Sequence, residues 1–238
     1  MRGAGRQALF SGADLNRSPG RGIRGHHGPV DWPLFDLTLR CRGVDLRPLR
    51  EVDLPYLAAV LPGDVGHDPR LELFADLTAD ENERRLFWQS HWRALGSWSP
   101  SSWTLHFAVA FEGRPVGVQT LEAESFPQLR TVDSASWLVP DVRGRGVGVA
   151  MRAAVLALAF DHLGAVAAIT SATVRNAASL GVSRRLGYRD NGVSTIVETG
   201  GVAELRHLRL TKDRWAYGDE VEVAGFGPCR RWFGLGLG

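Results

Sequence analysis

The residues of this chain best suited to chemistry run from Trp137 to Arg152, Trp-Leu-Val-Pro-Asp-Val-Arg-Gly-Arg-Gly-Val-Gly-Val-Ala-Met-Arg. They read as a short strand, a loop dense in glycine and arginine, and then a helix. A helix start carries unpaired backbone N–H groups and the positive end of the macrodipole. Glycines allow that backbone to approach a ligand closely. Together these features suit the binding of phosphate, and here of a pyrophosphate.

Spacing separates three designs of this kind. A P-loop ends in Gly-Lys-Ser/Thr, whereas Gly148 is followed by Val149 and Ala150, so that reading fails. A dinucleotide fingerprint needs G-x-G-x-x-G and an acid at the end of the next strand. Here Gly144, Gly146 and Gly148 alternate, and the strand near residues 165–174 ends without one. The third design, Arg/Gln-x-x-Gly-x-Gly/Ala, is met by Arg143, Gly146 and Gly148. A plain glycine-rich turn before a core helix is the alternative.

A second block, Asn-Ala-Ala-Ser-Leu-Gly-Val-Ser-Arg-Arg-Leu-Gly-Tyr from Asn176 to Tyr188, follows the apolar strand Ala165–Thr173. Asn176, Ser179 and Ser183 stand at i, i+3 and i+7, so a helix brings them to one face. Gly187 suits a left-handed C-terminal cap, with Tyr188 opening the next strand. Taken alone, these polar residues also fit a solvated helix face.

The first block resembles motif A of the GNAT acyltransferases, which hold the pyrophosphate of acyl-coenzyme A, and the second resembles the helix signature that follows it. Leu37–Arg40 and Val44–Asp53 look like the opening of the branch containing ribosomal-protein N-terminal acetyltransferases. Asp31–Leu37, Val116–Gln119, Val132–Ser134, Met151–Leu156, Val182–Arg185 and Gly187–Gly192 are similar to an actinobacterial GNAT type that includes a mycobacterial succinyltransferase. The likeness runs from Asp31 to the C-terminus. It implies an α/β, GNAT acyl-CoA N-acyltransferase fold: a mixed twisted sheet with helices on both faces.

The resemblance also implies a site. Backbone groups of Leu138 and Val139 pair with the pantetheine arm, and one N–H polarises the thioester carbonyl. The loop Arg143, Gly144, Arg145, Gly146, Val147 and Gly148 holds the pyrophosphate, with the two arginines adding charge. Asn176 and Ser179 bind the coenzyme arm. Ser183 stands where the family often has a tyrosine acid, and its hydroxyl either donates a hydrogen bond to the leaving thiolate or yields that role to water. Asp133 is the expected base, with Glu122 and Glu124 as alternatives. Acetyl-CoA or succinyl-CoA is the implied donor, with no metal. The implied acceptor is an amine: a protein N-terminus, a lysine or a small amine. A module that binds acyl-CoA without turning it over is the competing reading.

An amine attacks a thioester only when neutral. An α-amine titrates near 7.7–8.0, so a base has one proton to take, whereas a lysine near 10.4 needs more help. Positioning two reactants supplies several kcal/mol, and direct transfer needs no protein nucleophile. Trp88, Trp92, Trp98 and Trp103 crowd the region where this family often shapes its acceptor site, although core packing is the better account of at least two of them.

Composition bounds the rest. The chain has 238 residues, 44% apolar content and a net charge of +2, so wholesale nucleic-acid binding is not indicated. Cys41 and Cys229 lie far apart, without metal-type spacing, in keeping with a reducing cytoplasmic location. The apolar run Val147–Val166 contains Arg152, Asp161 and His162 and reads as a buried helix and strand, not a membrane span. Residues 1–30 carry five arginines, seven glycines and one acid; disorder is expected there, and no signal peptide is seen.

Residues 31–215 form the expected domain. Residues 216–238 are expected to pack on it or on a neighbouring subunit of a homo-oligomer. A strand or bent pair is predicted over Leu37–Leu49, a helix from near Asp53, and loops over Pro62–Asp76. A second helix is capped by Asp80 with Glu83 and runs to about Leu95. Strands follow at Trp103–Phe111, Pro115–Ala123 and 131–139, and after the two motifs a final pair at Val193–Glu198 and Ala203–Leu210.

Overall fold

Alternation builds the first strands of the computed structural model, which describes residues 32–66, 71–198 and 201–236. The disorder expected of residues 1–30 therefore lies outside the described residues. Strands β1 (Thr38–Cys41) and β2 (Val44–Pro48) bury every second side chain, placing Leu39, Cys41, Val44 and Leu46 on one face. The two-residue turn Arg42-Gly43 has positive φ at both positions, the geometry that matches strand twist, so the bent pair is a hairpin.

Helix α1 (Leu54–Ala59) follows, then α2 (Ala79–Gly96). Thr78, not Asp80, caps α2. Its Oγ1 accepts from the Glu81 N–H at 3.3 Å, and Glu81 Oε2 accepts from the Thr78 N–H at 2.8 Å. The side chain of Asn82 fixes this earlier start, bonding both the N–H (2.9 Å) and the carbonyl (3.0 Å) of Phe74 in the preceding loop.

Strands β3 (Trp103–Phe111) and β4 (Arg114–Ala123) form a second hairpin, and a single-turn helix α3 (Phe126–Leu129) leads to β5 (Thr131–Leu138). Then come α4 (Val147–Ala157), β6 (Ala167–Thr173), α5 (Ala177–Arg185), β7 (Arg189–Glu198) and β8 (Gly201–Thr211). After them come β9 (Val221–Ala224), the short α6 (Phe226–Cys229) and a 3-10 turn over Arg230–Phe233.

Among the described residues, nine strands share one mixed sheet in the order β7-β8-β6-β5-β4-β3-β2-β1-β9, in which only β5 and β6 pair parallel. Adjacent residues of β3 show the two faces. Phe107 and Val109 join the main core with α4, while Ala108 meets Leu54 and Leu57 of α1 and Val118 of β4. Helices therefore cover both sides of the sheet.

The sheet opens at one place. β5 pairs with β6 only across Thr131–Asp133 and Ala167–Ile169, while β4 holds β5 along its length from Glu122↔Asp133 to Gly117↔Leu138. Beyond Asp133 the two parallel strands part, and the Thr170 hydroxyl closes the base of the gap by donating to the Ser134 carbonyl at 3.0 Å.

Candidate active site

The gap and the loop after β5 lie side by side. Pro140–Val142 make one tight turn, and Gly144 (φ 76°) and Gly146 (φ 86°) bring the chain into α4. Gly146 is the N-cap, so no side chain satisfies the first turn of the helix. None of the backbone N–H groups from Gly144 to Gly148 donates to another backbone group among the described residues. A row of free donors at the positive end of an eleven-residue helix can hold phosphate oxygens.

The two arginines of this loop also pair with acids on neighbouring loops. Arg143 donates Nε to the Leu138 carbonyl (2.9 Å) and grips Asp64 with both Nη atoms at 2.5 and 2.8 Å. Arg145 pairs with Glu112 and lies 4.8 Å from the Phe111 ring centre. Their flexible guanidinium groups find acids on neighbouring loops. Arg42 and Arg185 join Arg145 around a pocket beside Gly146 and Val149, an assembly that no linear spacing reveals.

Strand parity decides which backbone groups of β5 face the gap. The Val139 N–H donates to the Val116 carbonyl at 2.9 Å, toward β4. In an antiparallel ladder these directions alternate. Ser136 and Leu138 therefore point their N–H and C=O away from β4, as the Ser134 carbonyl does. Val139 is thus excluded from pairing with a ligand in the gap, and Ser136 takes the place assigned to it. Gly117 permits this geometry, because a Cβ there would lie 2.2 Å from the Trp137 carbonyl oxygen.

On the α2 side, Asp133 and Glu122 are direct cross-strand partners. Burial pushes the Asp133 carboxyl from its ordinary 3.8 up to about 6; Glu122 adds repulsion, against the Ser134 N–H and the more distant Arg152. Burial also raises Glu122, whose carboxylate accepts from Thr104 Oγ1 at 3.3 Å. Both carboxyls therefore hold their protons to higher pH than exposed acids do. Glu124 is exposed, off this pair.

The second motif divides. Asn176 caps α5, its Oδ1 accepting from the Ser179 N–H at 3.0 Å, and both residues reach solvent near the gap. Ser183 is fully enclosed. It donates to the Ser179 carbonyl (3.0 Å) and accepts from Arg152 Nη1 (2.8 Å), so its proton is committed and it does not serve as an acid. Arg152 was legible only as an interruption of an apolar run. Trp98 and Trp103 stack in the core beside Phe233, whereas Trp88 and Trp92 remain together on α2. Among the described residues no cluster of His, Cys, Asp and Glu is arranged to hold a metal, and no helix is long and apolar enough to cross a membrane.

Residues 44–189, spanning both motifs and the parted strands, match the acetyltransferase (GNAT) domain. The chain belongs to the GNAT family. Solved structures agree on the fold. Mycobacterium smegmatis RimJ in complex with CoA-disulfide is 19% identical with a TM-score of 0.59, over 80% of this chain and 98% of that one. A GCN5-related N-acetyltransferase from Brucella melitensis is 20% identical at TM-score 0.57, over 75% and 80%. A spermidine N-acetyltransferase SpeG chimera from Vibrio cholerae and hSSAT is 13% identical at 0.56, over 72% and 97%. This GNAT domain thus has a gap between β5 and β6 with charged residues around it.

Proposed function

We propose that this GNAT domain transfers an acyl group, acetyl or succinyl, from acyl-CoA to a primary amine by direct attack. The observation that carries the reading is the parting of β5 from β6 beside an uncapped helix N-terminus. The amides of residues 144–148 would hold the pyrophosphate. The pantetheine arm would lie along β5 as an added strand, bonded to Ser136 and Leu138, with Asn176 and Ser179 at its flank. One of the two inward N–H groups would polarise the thioester carbonyl.

Asp133 and Glu122 suit the base. Asp133 is three residues along the strand from Ser136, about 10 Å at the usual rise, so the amine proton reaches it through water. Two partly buried acids also favour a cationic acceptor over a neutral one. An α-amine needs the least help at neutral pH, which favours a protein N-terminus over lysine.

The test is release of free thiol from acetyl-CoA and succinyl-CoA with a panel of amines, alongside calorimetry of coenzyme binding. Acceptor-dependent release is expected. Binding without release would show a module that senses acyl-CoA, and no binding by any CoA species would end the proposal.

A further inference from the structure

A buried charge in this molecule lacks a counterion at contact. Arg152 is 3% exposed, and its guanidinium bonds only hydroxyls, Ser183 Oγ at 2.8 Å and Ser136 Oγ at 3.4 Å. Its Nε has no partner among the described residues. The titratable groups facing it are Asp133 on β5 and Tyr188 just before β7, and both act on it without a hydrogen bond. Tyr188 is pushed up to about 12 by burial and stays neutral. A cation out of water without a contact anion is costly, and a hydrophobic side chain of similar volume would serve stability better. The charge therefore has a use that the resting fold does not display.

Its position indicates the use. The guanidinium bridges Ser183 on α5 and Ser136 on β5, and Ser136 is the residue whose backbone opens into the cleft. The Ser136 oxygen accepts from Arg152, and its own proton has no acceptor among the described residues. We infer that Arg152 is the positive charge that receives the departing coenzyme thiolate, acting through the hydroxyl of Ser136. This rests on the acyl-transfer reading above.

In the step, the amine nitrogen bonds to the thioester carbon and the C–S bond breaks, its electron pair going to sulfur. The amine proton passes through water to the Asp133–Glu122 pair and from there to the thiolate, giving amide and free CoA. The thioester sulfur is neutral in the ground state and charged on departure, so a fixed cation lowers the barrier without tightening substrate. Ser183 anchors the guanidinium. Arg152 is a positioning residue in this scheme, and Ser136 makes the contact. The carboxylate of a succinyl chain is a poorer occupant, because reaching the guanidinium would require displacing the two hydroxyls that cover it.

Calorimetry of CoA against desulfo-CoA, which lacks the sulfur, tests this with the intact chain between pH 6.5 and 10. A cysteine thiol ordinarily titrates near 8.5, and the plain alkyl thiol of CoA about one unit higher. Arg152 should lower the bound thiol by about one unit, so CoA should gain about tenfold in affinity over desulfo-CoA as pH rises. Thiolate absorbance should appear at correspondingly lower pH in the complex. Arg152→Met should remove the gain and cut kcat by about a hundredfold while moving KM little. Ser136→Ala, which keeps the cation, should remove most of the gain as well.

Should Arg152→Met fail to fold, the wild-type comparison still decides. Parallel CoA and desulfo-CoA curves would overturn the inference while leaving acyl transfer standing. So would a preference for succinyl-CoA over butyryl-CoA that Arg152→Met abolishes, since the cation would then serve a carboxylate. Failure of both coenzymes to bind would remove the acyl-transfer reading and this inference together.

Discussion

Asp133 shows what one residue can report about this site. Its carboxyl is held near 6 in the folded chain against about 3.8 unfolded, so between those values the native state binds the extra proton. Stability conferred by the protonated form is full below pH 4 and is lost as pH rises through 6. Asp133→Asn should therefore stabilise the protein by about 2 kcal/mol at pH 8 and by almost nothing at pH 4. Denaturant melts at the two pH values measure this, and an equal effect at both would mean the carboxyl is not perturbed. The same substitution should flatten the rise of kcat/KM near pH 6 while leaving CoA affinity intact. An unchanged profile would pass the role to Glu122. Asp133 could be nominated from sequence because an acid stood beside motif A. Its pairing with Glu122 could not be, since cross-strand register is set by the hairpin and the sheet, not by spacing along the chain.

At the scale of elements, the phosphate loop was readable because its backbone demands are unusual. Few residues other than glycine tolerate the φ of 86° at Gly146 that turns the chain into α4. Gly146→Ala should cost about 1 kcal/mol in stability and weaken CoA about tenfold by reorienting the first-turn amides. Isothermal titration would measure the second effect, and unchanged affinity would place the pyrophosphate elsewhere. Gly117 acts differently. Its close approach to the Trp137 carbonyl lets β4 hold β5 where β5 leaves β6, and a Cβ 2.2 Å from that oxygen must push the strands apart. Gly117→Ala should lower stability by more than 2 kcal/mol and weaken coenzyme binding together. A melt within about 0.5 kcal/mol of the parent would show that the strands adjust freely. The sequence concealed the parting of the strands, and with it the choice of Ser136 over Val139, because both depend on which side of β5 carries the ladder. It also pointed to Asp80 as the cap of α2, because the tertiary bonds of Asn82 that fix the start at Thr78 leave no mark in local spacing.

Across the whole molecule, the last segment completes the sheet and the core at the edge away from the cleft. β9 pairs with β1 from Thr38↔Ala224 to Cys41↔Val221, covering a strand edge that would otherwise be open to other chains. Beyond it Phe233 is fully buried, with ring centres 5.3 Å from Trp98 and 4.9 Å from Trp103, and Trp98 Nε1 donates to the Trp232 carbonyl at 2.9 Å. The aromatic residues of this segment signalled burial in the sequence, but the surface they meet is assembled from residues more than a hundred positions earlier. Phe233→Ala should cost about 3–5 kcal/mol by leaving a cavity between two indoles, lowering Tm by roughly 10 °C. Because Phe233 packs on Trp98, Trp103 and Phe226, none of them assigned to the coenzyme, CoA affinity of the folded variant should stay within about threefold of the parent. Thermal melts with and without CoA separate the two effects. A loss below about 1 kcal/mol would mean that the end of the chain is an appendage, while a large loss of CoA affinity in a well-folded variant would mean that the tryptophan cluster shapes the cleft itself.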